Sequence, residues 1–249
     1  MTPIKTITSQ NNGFTLVELS IVIVVIGLIV AGIVGGQSLV YQSKVRSIIT
    51  DYRQYEVAIN TFKLEYNAIP GDFNMASNYG IGTSGNGDGR IADAGTEGAR
   101  FWEHLSGAGL ITGSYSGSGM AIGTNIPGSS YGGLVTFYAS YAGVAPGSNH
   151  MNTGNSLLFQ VYRGNVIALG TQTSTNVRPW LGFLEVNASH SIDSKIDDGE
   201  PGTGRLFVAR GSGNPNGSCT DKSATQARPV AFVFSDTGKN CRLFFLLQK

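Results

Sequence analysis

Phe14-Thr15-Leu16-Val17-Glu18-Leu19-Ser20 opens a run that continues as Ile21-Val22-Ile23-Val24-Val25-Ile26-Gly27-Leu28-Ile29-Val30-Ala31-Gly32-Ile33-Val34-Gly35-Gly36. From Ile21 to Gly36 there is no strongly polar side chain. As a helix, Phe14 to Gly36 covers about 34 Å, enough to cross a bilayer. Glu18 is the one ionisable side chain in the run. A carboxylate in a membrane helix costs about 2.5–3.5 kcal/mol on insertion scales, so it calls for a partner or a function. A largely polar segment, Met1–Gly13, precedes the run, with Lys5 and no acid. A secretory signal would place a small-residue cleavage site after the apolar stretch. Here Gly35, Gly36 and Gln37 pass without a break into a helical pattern, so that reading fits poorly. A plain signal anchor leaves Glu18 without a role.

Gly13-Phe14-Thr15-Leu16-Val17-Glu18 followed by an apolar helix resembles the prepilin signature of type IV pilins and type II secretion pseudopilins. The resemblance implies cleavage between Gly13 and Phe14 by a prepilin peptidase, which also methylates the new Phe14 amine. It further implies that Glu18 pairs with the N-terminal amine of a neighbouring subunit during assembly. The physics agrees, because cleavage creates a cation near the membrane interior and a nearby carboxylate supplies the complementary charge. Many family members carry a proline where this chain has Gly35-Gly36. Glycine costs ~1 kcal/mol relative to alanine in a helix, so the pair can serve as a soft point.

Beyond the apolar run, Tyr41, Val45, Ile48, Tyr52, Tyr55, Ile59, Phe62 and Tyr66 recur at alternating spacings of four and three. That is one apolar stripe on a helix. Lys44, Arg46, Asp51, Arg53 and Glu65 lie off it. Asn67-Ala68-Ile69-Pro70-Gly71-Asp72 is a dense stop signal. The helix from Thr15 to Tyr66 is expected to run ~78 Å. Four regions follow: a leader at 1–13, a transmembrane and fibre-core helix at 14–36, its amphipathic continuation at 37–69, and an exported glycine-rich head at 70–249. Lys44, Arg46 and Arg53 follow the span, while only Lys5 and the amine precede it. A bare positive-inside count would therefore put the head in the cytoplasm. The prepilin signature and a later cysteine pair outweigh that count. They place the head in the periplasm of a bacterium, with a single pass through the inner membrane.

In the head, Thr96-Glu97-Gly98-Ala99-Arg100-Phe101-Trp102-Glu103-His104-Leu105 predicts a short helix. Thr96 caps it, Phe101, Trp102 and Leu105 face inward, and Gly107 or Gly109 ends it. Apolar runs then alternate with turn residues: Leu134–Tyr141, Leu157–Tyr162, Val166–Leu169, Leu181–Val186, Arg205–Ala209, Val230–Phe234 and Leu243–Leu247. The spacing predicts antiparallel strands. Arg163-Gly164-Asn165 and Ser235–Asn240 are the expected hairpin connections, and Ser189–Asp198 reads as a helix. The expected class is α+β and pilin-like: a long N-terminal helix, half transmembrane and half amphipathic, packed against an antiparallel sheet head.

Composition agrees with this division. Charged residues make up 13% of the 249, against roughly 25% in ordinary soluble domains. The deficit starts in residues 14–36, and the 35 glycines concentrate in the loops after Pro70. A net charge of +1 provides no electrostatic footprint for nucleic acid. The two cysteines, Cys219 and Cys241, cannot make a four-cysteine zinc site. In an exported domain a disulfide is the favoured reading, worth ~3 kcal/mol, and type IV pilins often carry one near the C-terminus. Two unpaired buried thiols are the alternative.

Two segments present oxygen ligands for calcium. Asp193, Asp197, Asp198 and Glu200 form the densest acidic cluster, with Asp193 and Asp197 on one helical face. Some pseudopilins bind calcium in the head. The alternative is a solvated helix end balanced by Lys195 and Arg205. Ser84, Asn86 and Asp88, followed by Gly89, resemble the start of an EF-hand loop, but no acid stands at the first position and Gly95 falls where the bidentate glutamate belongs. Nothing points to an enzyme: His104, His150 and His190 lie in unrelated contexts, and His190 with Asp193 and a serine is a triad only by chance spacing.

The resemblance implies a subunit of a type IV pilus or type II secretion pseudopilus. Its partners would be the prepilin peptidase and methyltransferase, an inner-membrane assembly platform, and other pilin or pseudopilin subunits in a helical fibre. A minor pilin or tip adhesin, with the head as a binding module, is the alternative.

Overall fold

The computed structural model describes residues 13–92, 96–142, 164–174, 177–215, 217–221 and 229–247. The chain divides into two compact units, Met1–Ser43 and Lys44–Lys249. Helix α1, Leu16–Tyr66, begins in the first and ends in the second.

In the first unit, α1 exposes its apolar side chains on every side, Leu16, Leu19, Val22, Ile26, Leu28 and Ile33 among them. The helix is long and apolar enough to cross a membrane. Gly35 and Gly36 are both helical, with open space where a Cβ would stand.

The second unit holds the stripe. Val45, Ile48, Tyr52, Tyr55, Ile59 and Phe62 are buried, joined by Ile49 and Ala58 beside them. The helix stops where Asn67 turns left-handed at φ 48°, ahead of Pro70. A short 3-10 turn follows at Ala76–Tyr79. Next come α2 (Glu97–Gly107), β1 (Val135–Ala142), β2 (Gly164–Thr171), α3 (Val186–Ile196), β3 (Leu206–Arg210) and β4 (Cys241–Leu246).

The four strands form one antiparallel sheet in the order β1-β2-β4-β3. Register places Phe137 opposite Leu169, Leu169 opposite Leu243, and Leu243 opposite Val208, so these four share a face. The α1 stripe packs on the sheet: Tyr52 stacks on Phe245 at 4.1 Å, and Tyr55 meets Phe137 edge-on at 5.0 Å and Trp102 at 4.9 Å. Each such side chain contributes about 1.5–3 kcal/mol by leaving water. The opposite face carries Ala142, Val166, Ala168, Phe207, Ala209, Phe244 and Leu246, all buried. Arg242 lies buried on that side, its guanidinium over the rings of Phe244 at 4.8 Å and Trp180 at 5.8 Å.

The α+β architecture is thus a long N-terminal helix packed on a four-stranded antiparallel sheet. Several expected elements differ. Leu181–Val186 is not a strand: Leu181 and Leu184 make isolated bridges, and Val186 starts α3. Val230–Phe234 contributes one bridge, Phe232 to Thr220, and places its aromatics against His190 instead. Ser235–Asn240 therefore joins no hairpin, since β4 pairs with β2 and β3. Gly164 and Asn165 belong to β2. The expected strand Leu157–Tyr162 and Arg163 lie outside the described residues.

Candidate functional site

The first unit contains the N-terminal motif. Gly13, Phe14 and Thr15 precede α1 in non-helical backbone, and Phe14 is 89% exposed. Thr15 and Glu18 cap the helix reciprocally. The Thr15 N–H and hydroxyl each donate to Glu18 Oε2 at 2.8 Å, and the Glu18 N–H donates to Thr15 Oγ1 at 3.2 Å. This is a capping box, Thr-x-x-Glu, and it satisfies helix N–H groups that have no partner within α1. It keeps the acid at the helix start without a basic side chain. The pattern was readable in the sequence from the Thr15–Glu18 spacing alone.

In the second unit, the segment 84–92 was expected to offer oxygens to a cation. It instead turns its N–H groups toward two buried acids. Asp72 accepts from Asp88 N–H at 3.0 Å and Gly89 N–H at 2.8 Å. Glu97 accepts from Asn86 N–H at 3.1 Å and Ala92 N–H at 2.6 Å. Burial raises both carboxyls, and these N–H groups oppose it. The supposed ligands are engaged locally: the Ser84 hydroxyl with Ser77, Asn86 Oδ1 with the Asp88 N–H, and Asp88 Oδ1 with the Arg90 N–H. Here these oxygens hold the turn together.

The acidic segment after α3 does converge. Carboxylate oxygens of Asp193, Asp197 and Asp198 all lie within 4.8 Å of one another. Glu200 stands outside the group, exposed, its N–H donating to Asp198 Oδ1 at 2.9 Å. Asp197 Oδ2 accepts the N–H groups of Arg205 and Leu206, the latter at 3.0 Å. Asp198 Oδ2 accepts from the Thr203 hydroxyl at 2.6 Å. Arg205 in turn forms an ion pair with Glu56 of α1. Asp193 differs from its neighbours. Its side chain is fully buried, and neither oxygen has a donor at full hydrogen-bond distance and angle among the described residues, the Gly199 N–H lying near but short of that geometry. Burial, then the charges of Asp198 and Asp197, push its carboxyl up to about 8, with the Gly199 N–H pulling the other way.

Among the described residues, His104 and His190 are not assembled as a catalytic group. His104 is buried and bonded to backbone on both ring nitrogens. His190 packs edge-on against Phe232 and Phe234, with Ser194 Oγ 3.5 Å from its Nε2. The unpartnered Asp193 carboxylate does not orient it. His150 lies outside the described residues. Cys219 and Cys241 are joined as a disulfide.

Compared with known families, residues 8–34 match the prokaryotic N-terminal methylation motif. The chain therefore carries the prepilin-type signature of type IV pilins and pseudopilins. The match covers the segment that includes Gly13, Phe14 and Glu18 and leaves the second unit unmatched. No curated protein and no solved structure matches the chain. The motif indicates a structural subunit, and with the apolar helix it opens it fits a membrane-anchored protein.

Proposed function

We propose that the chain is a structural subunit of a type IV pilus or type II secretion pseudopilus. It waits in the bacterial inner membrane with residues 70–249 in the periplasm. Processing at Gly13/Phe14 removes the leader 1–13, and residues 14–36 then enter the fibre core with other subunits. The observation that carries the reading is the methylation motif, set on a helix whose apolar run holds a single acid, Glu18. The exposed, non-helical Gly13–Phe14 bond supports it, since a peptidase needs an extended and accessible segment. Leaving lipid must be offset by packing of Ile21–Val34 among like helices and by pairing of Glu18 with a neighbour's new amine.

Mass spectrometry of the mature N-terminus tests processing: Gly13→Ala should leave the leader attached. Glu18→Ala should leave cleavage intact and remove the chain from sheared fibres. A mature N-terminus unchanged by Gly13→Ala, or normal fibres from Glu18→Ala, would defeat the corresponding half of the proposal.

A further inference from the structure

We propose that Asp193, Asp197 and Asp198 form a binding site for a hard divalent cation, calcium foremost, which ties the end of α3 to the turn entering β3. The inference is independent of the processing and assembly reading, since it rests on residues of the second unit alone.

The donors are all carboxylate oxygens, the set that suits calcium or magnesium and not the nitrogen- or sulfur-preferring metals. Calcium–oxygen distances are about 2.3–2.6 Å, so two oxygens on one ion stand at most ~5 Å apart. The mutual 4.8 Å limit of the three carboxylates meets that condition without backbone movement.

A cluster of acids on a surface would mean little, but Asp193 is not on the surface. It is fully buried with both oxygens unpartnered, and it shares the cluster with two further carboxylates. An uncompensated buried carboxylate is costly. A proton would remove the charge yet leave the other carboxylates of the cluster, Asp197 and Asp198, without a shared counter-charge. A divalent cation answers both needs at once: it supplies opposite charge, and it bonds to the lone pairs that nothing else uses. Calcium is preferred to magnesium because it accepts irregular coordination, whereas magnesium demands near-octahedral geometry and retains its waters.

The surrounding bonds explain what the ion would accomplish. Asp197 already holds the backbone of Arg205 and Leu206 at the start of β3, and Asp198 holds Thr203 and Glu200 in the turn. Fixing the two aspartates on one ion therefore fixes the α3–β3 connection, and with it the position of Arg205 against Glu56.

The test uses the full chain in detergent, stripped with a chelator, and titrates calcium alone and magnesium alone by calorimetry and thermal unfolding. Calcium should bind at about 10⁻⁴–10⁻³ M and raise the unfolding temperature, with magnesium weaker. Asp193→Asn, which keeps the shape and removes the charge, should weaken calcium binding at least about tenfold, since affinity follows ligand charge. Without calcium the same variant should unfold at or above the wild-type temperature. Asp198→Asn supplies a second variant should Asp193→Asn fail to fold, and should weaken binding in the same direction. Absence of calcium binding to the wild type at about ten times that concentration range would overturn the proposal. So would unchanged binding in either folded variant, or magnesium binding tighter than calcium.

Discussion

His104 Nδ1 accepts the Gly71 N–H at 2.9 Å, and its Nε2 donates to the Thr83 carbonyl at 2.8 Å. The two bonds define the neutral Nε2–H tautomer, because Gly71 can only donate and Thr83 O can only accept. The ring is fully buried against Phe62 and ties the turn after α1 to the loop before α2. Gly71 sits at φ 83°, and a Cβ there would press on the backbone of Phe101, 3.0 Å from its nitrogen. No side chain fits, and the tight approach brings its N–H to the imidazole.

A pH dependence follows. Burial holds the His104 pKa below its ordinary 6.5, with Arg100 adding to the effect and the Thr83 bond, Glu103 and Asp72 opposing it. The unfolded chain takes up a proton as pH falls through about 6.5 while the folded chain does not. Stability present above that pH is therefore lost below it, at a rate on the order of 1 kcal/mol per pH unit. Asp193, whose carboxyl is pushed up to about 8, acts in the opposite direction, as do the raised carboxyls of Asp72 and Glu97. Comparing wild type with His104→Gln separates the two contributions. Between pH 7.5 and 5.5 the stability of wild type relative to the variant should fall as pH falls, because the raised carboxyls are common to both. Equal slopes would remove His104 from the account. At pH 7.5, His104→Phe should cost about 1–3 kcal/mol, since it strands the buried Gly71 N–H, while water can replace the lost partner of the Thr83 carbonyl.

The α1 stripe was legible because one buried face repeats with the helical period, and every residue from Val45 to Phe62 on it is buried. Strands β1, β2, β3 and β4 were legible as apolar runs bounded by turn residues. Leu181–Val186 and Val230–Phe234 have the same composition but serve as single bridges and packing residues, because an apolar run reports burial and not ladder pairing. The Asp193 and Asp197 pair was visible at helical spacing. That Asp193 would be enclosed and unpartnered was not, since helical spacing fixes which face a residue shares but not how deeply it is buried. The same holds for Asp72 and Glu97: the N–H groups they accept lie 11 to 17 residues away for Asn86, Asp88 and Gly89, and no local pattern announces them.

Asp51 marks a second clasp between α1 and a loop. Its Oδ2 accepts from the Ser129 hydroxyl at 3.0 Å and the Ser130 N–H at 2.8 Å, and its Oδ1 from the Ser130 hydroxyl at 2.7 Å. The site is partly exposed, so water replaces some of what is lost. Asp51→Ala should cost about 1–2 kcal/mol, and hydrogen exchange should speed up at Ser129–Gly132 ahead of β1. A global loss with no local change in exchange would contradict a clasp.

The Cys219–Cys241 disulfide anchors a loop to the first residue of β4. Cys219 lies at φ 65°, a region costly for residues other than glycine, and its N–H donates to Asp236 Oδ2 at 2.8 Å. Replacing both cysteines by serine should remove about 3 kcal/mol in the chain-entropy account, or roughly 6–12 °C for a domain of this size. Phe232, which packs on His190, belongs to the same loop, so His190 should become more accessible to chemical modification in the serine variant. Unchanged unfolding temperature under reductant would deny the bond a stabilising role.

Gly98 tests the seat of α2 on β1. A Cβ at this position would stand 2.5 Å from the Ala139 carbonyl and 2.9 Å from the Tyr138 hydroxyl. Helix propensity alone favours Gly98→Ala by ~1 kcal/mol. Overpacking against a strand backbone costs about 1–3 kcal/mol or more, and the carbonyl cannot withdraw without disturbing the Ala139 pairing with Ile167. The steric effect should win, lowering stability by about 1–2 kcal/mol net of propensity. The variant should also shift the Trp102 emission, because Trp102 is carried by the same helix and packs edge-on against Tyr55. A stabilised variant with native emission would show that α2 does not press on β1 at Gly98.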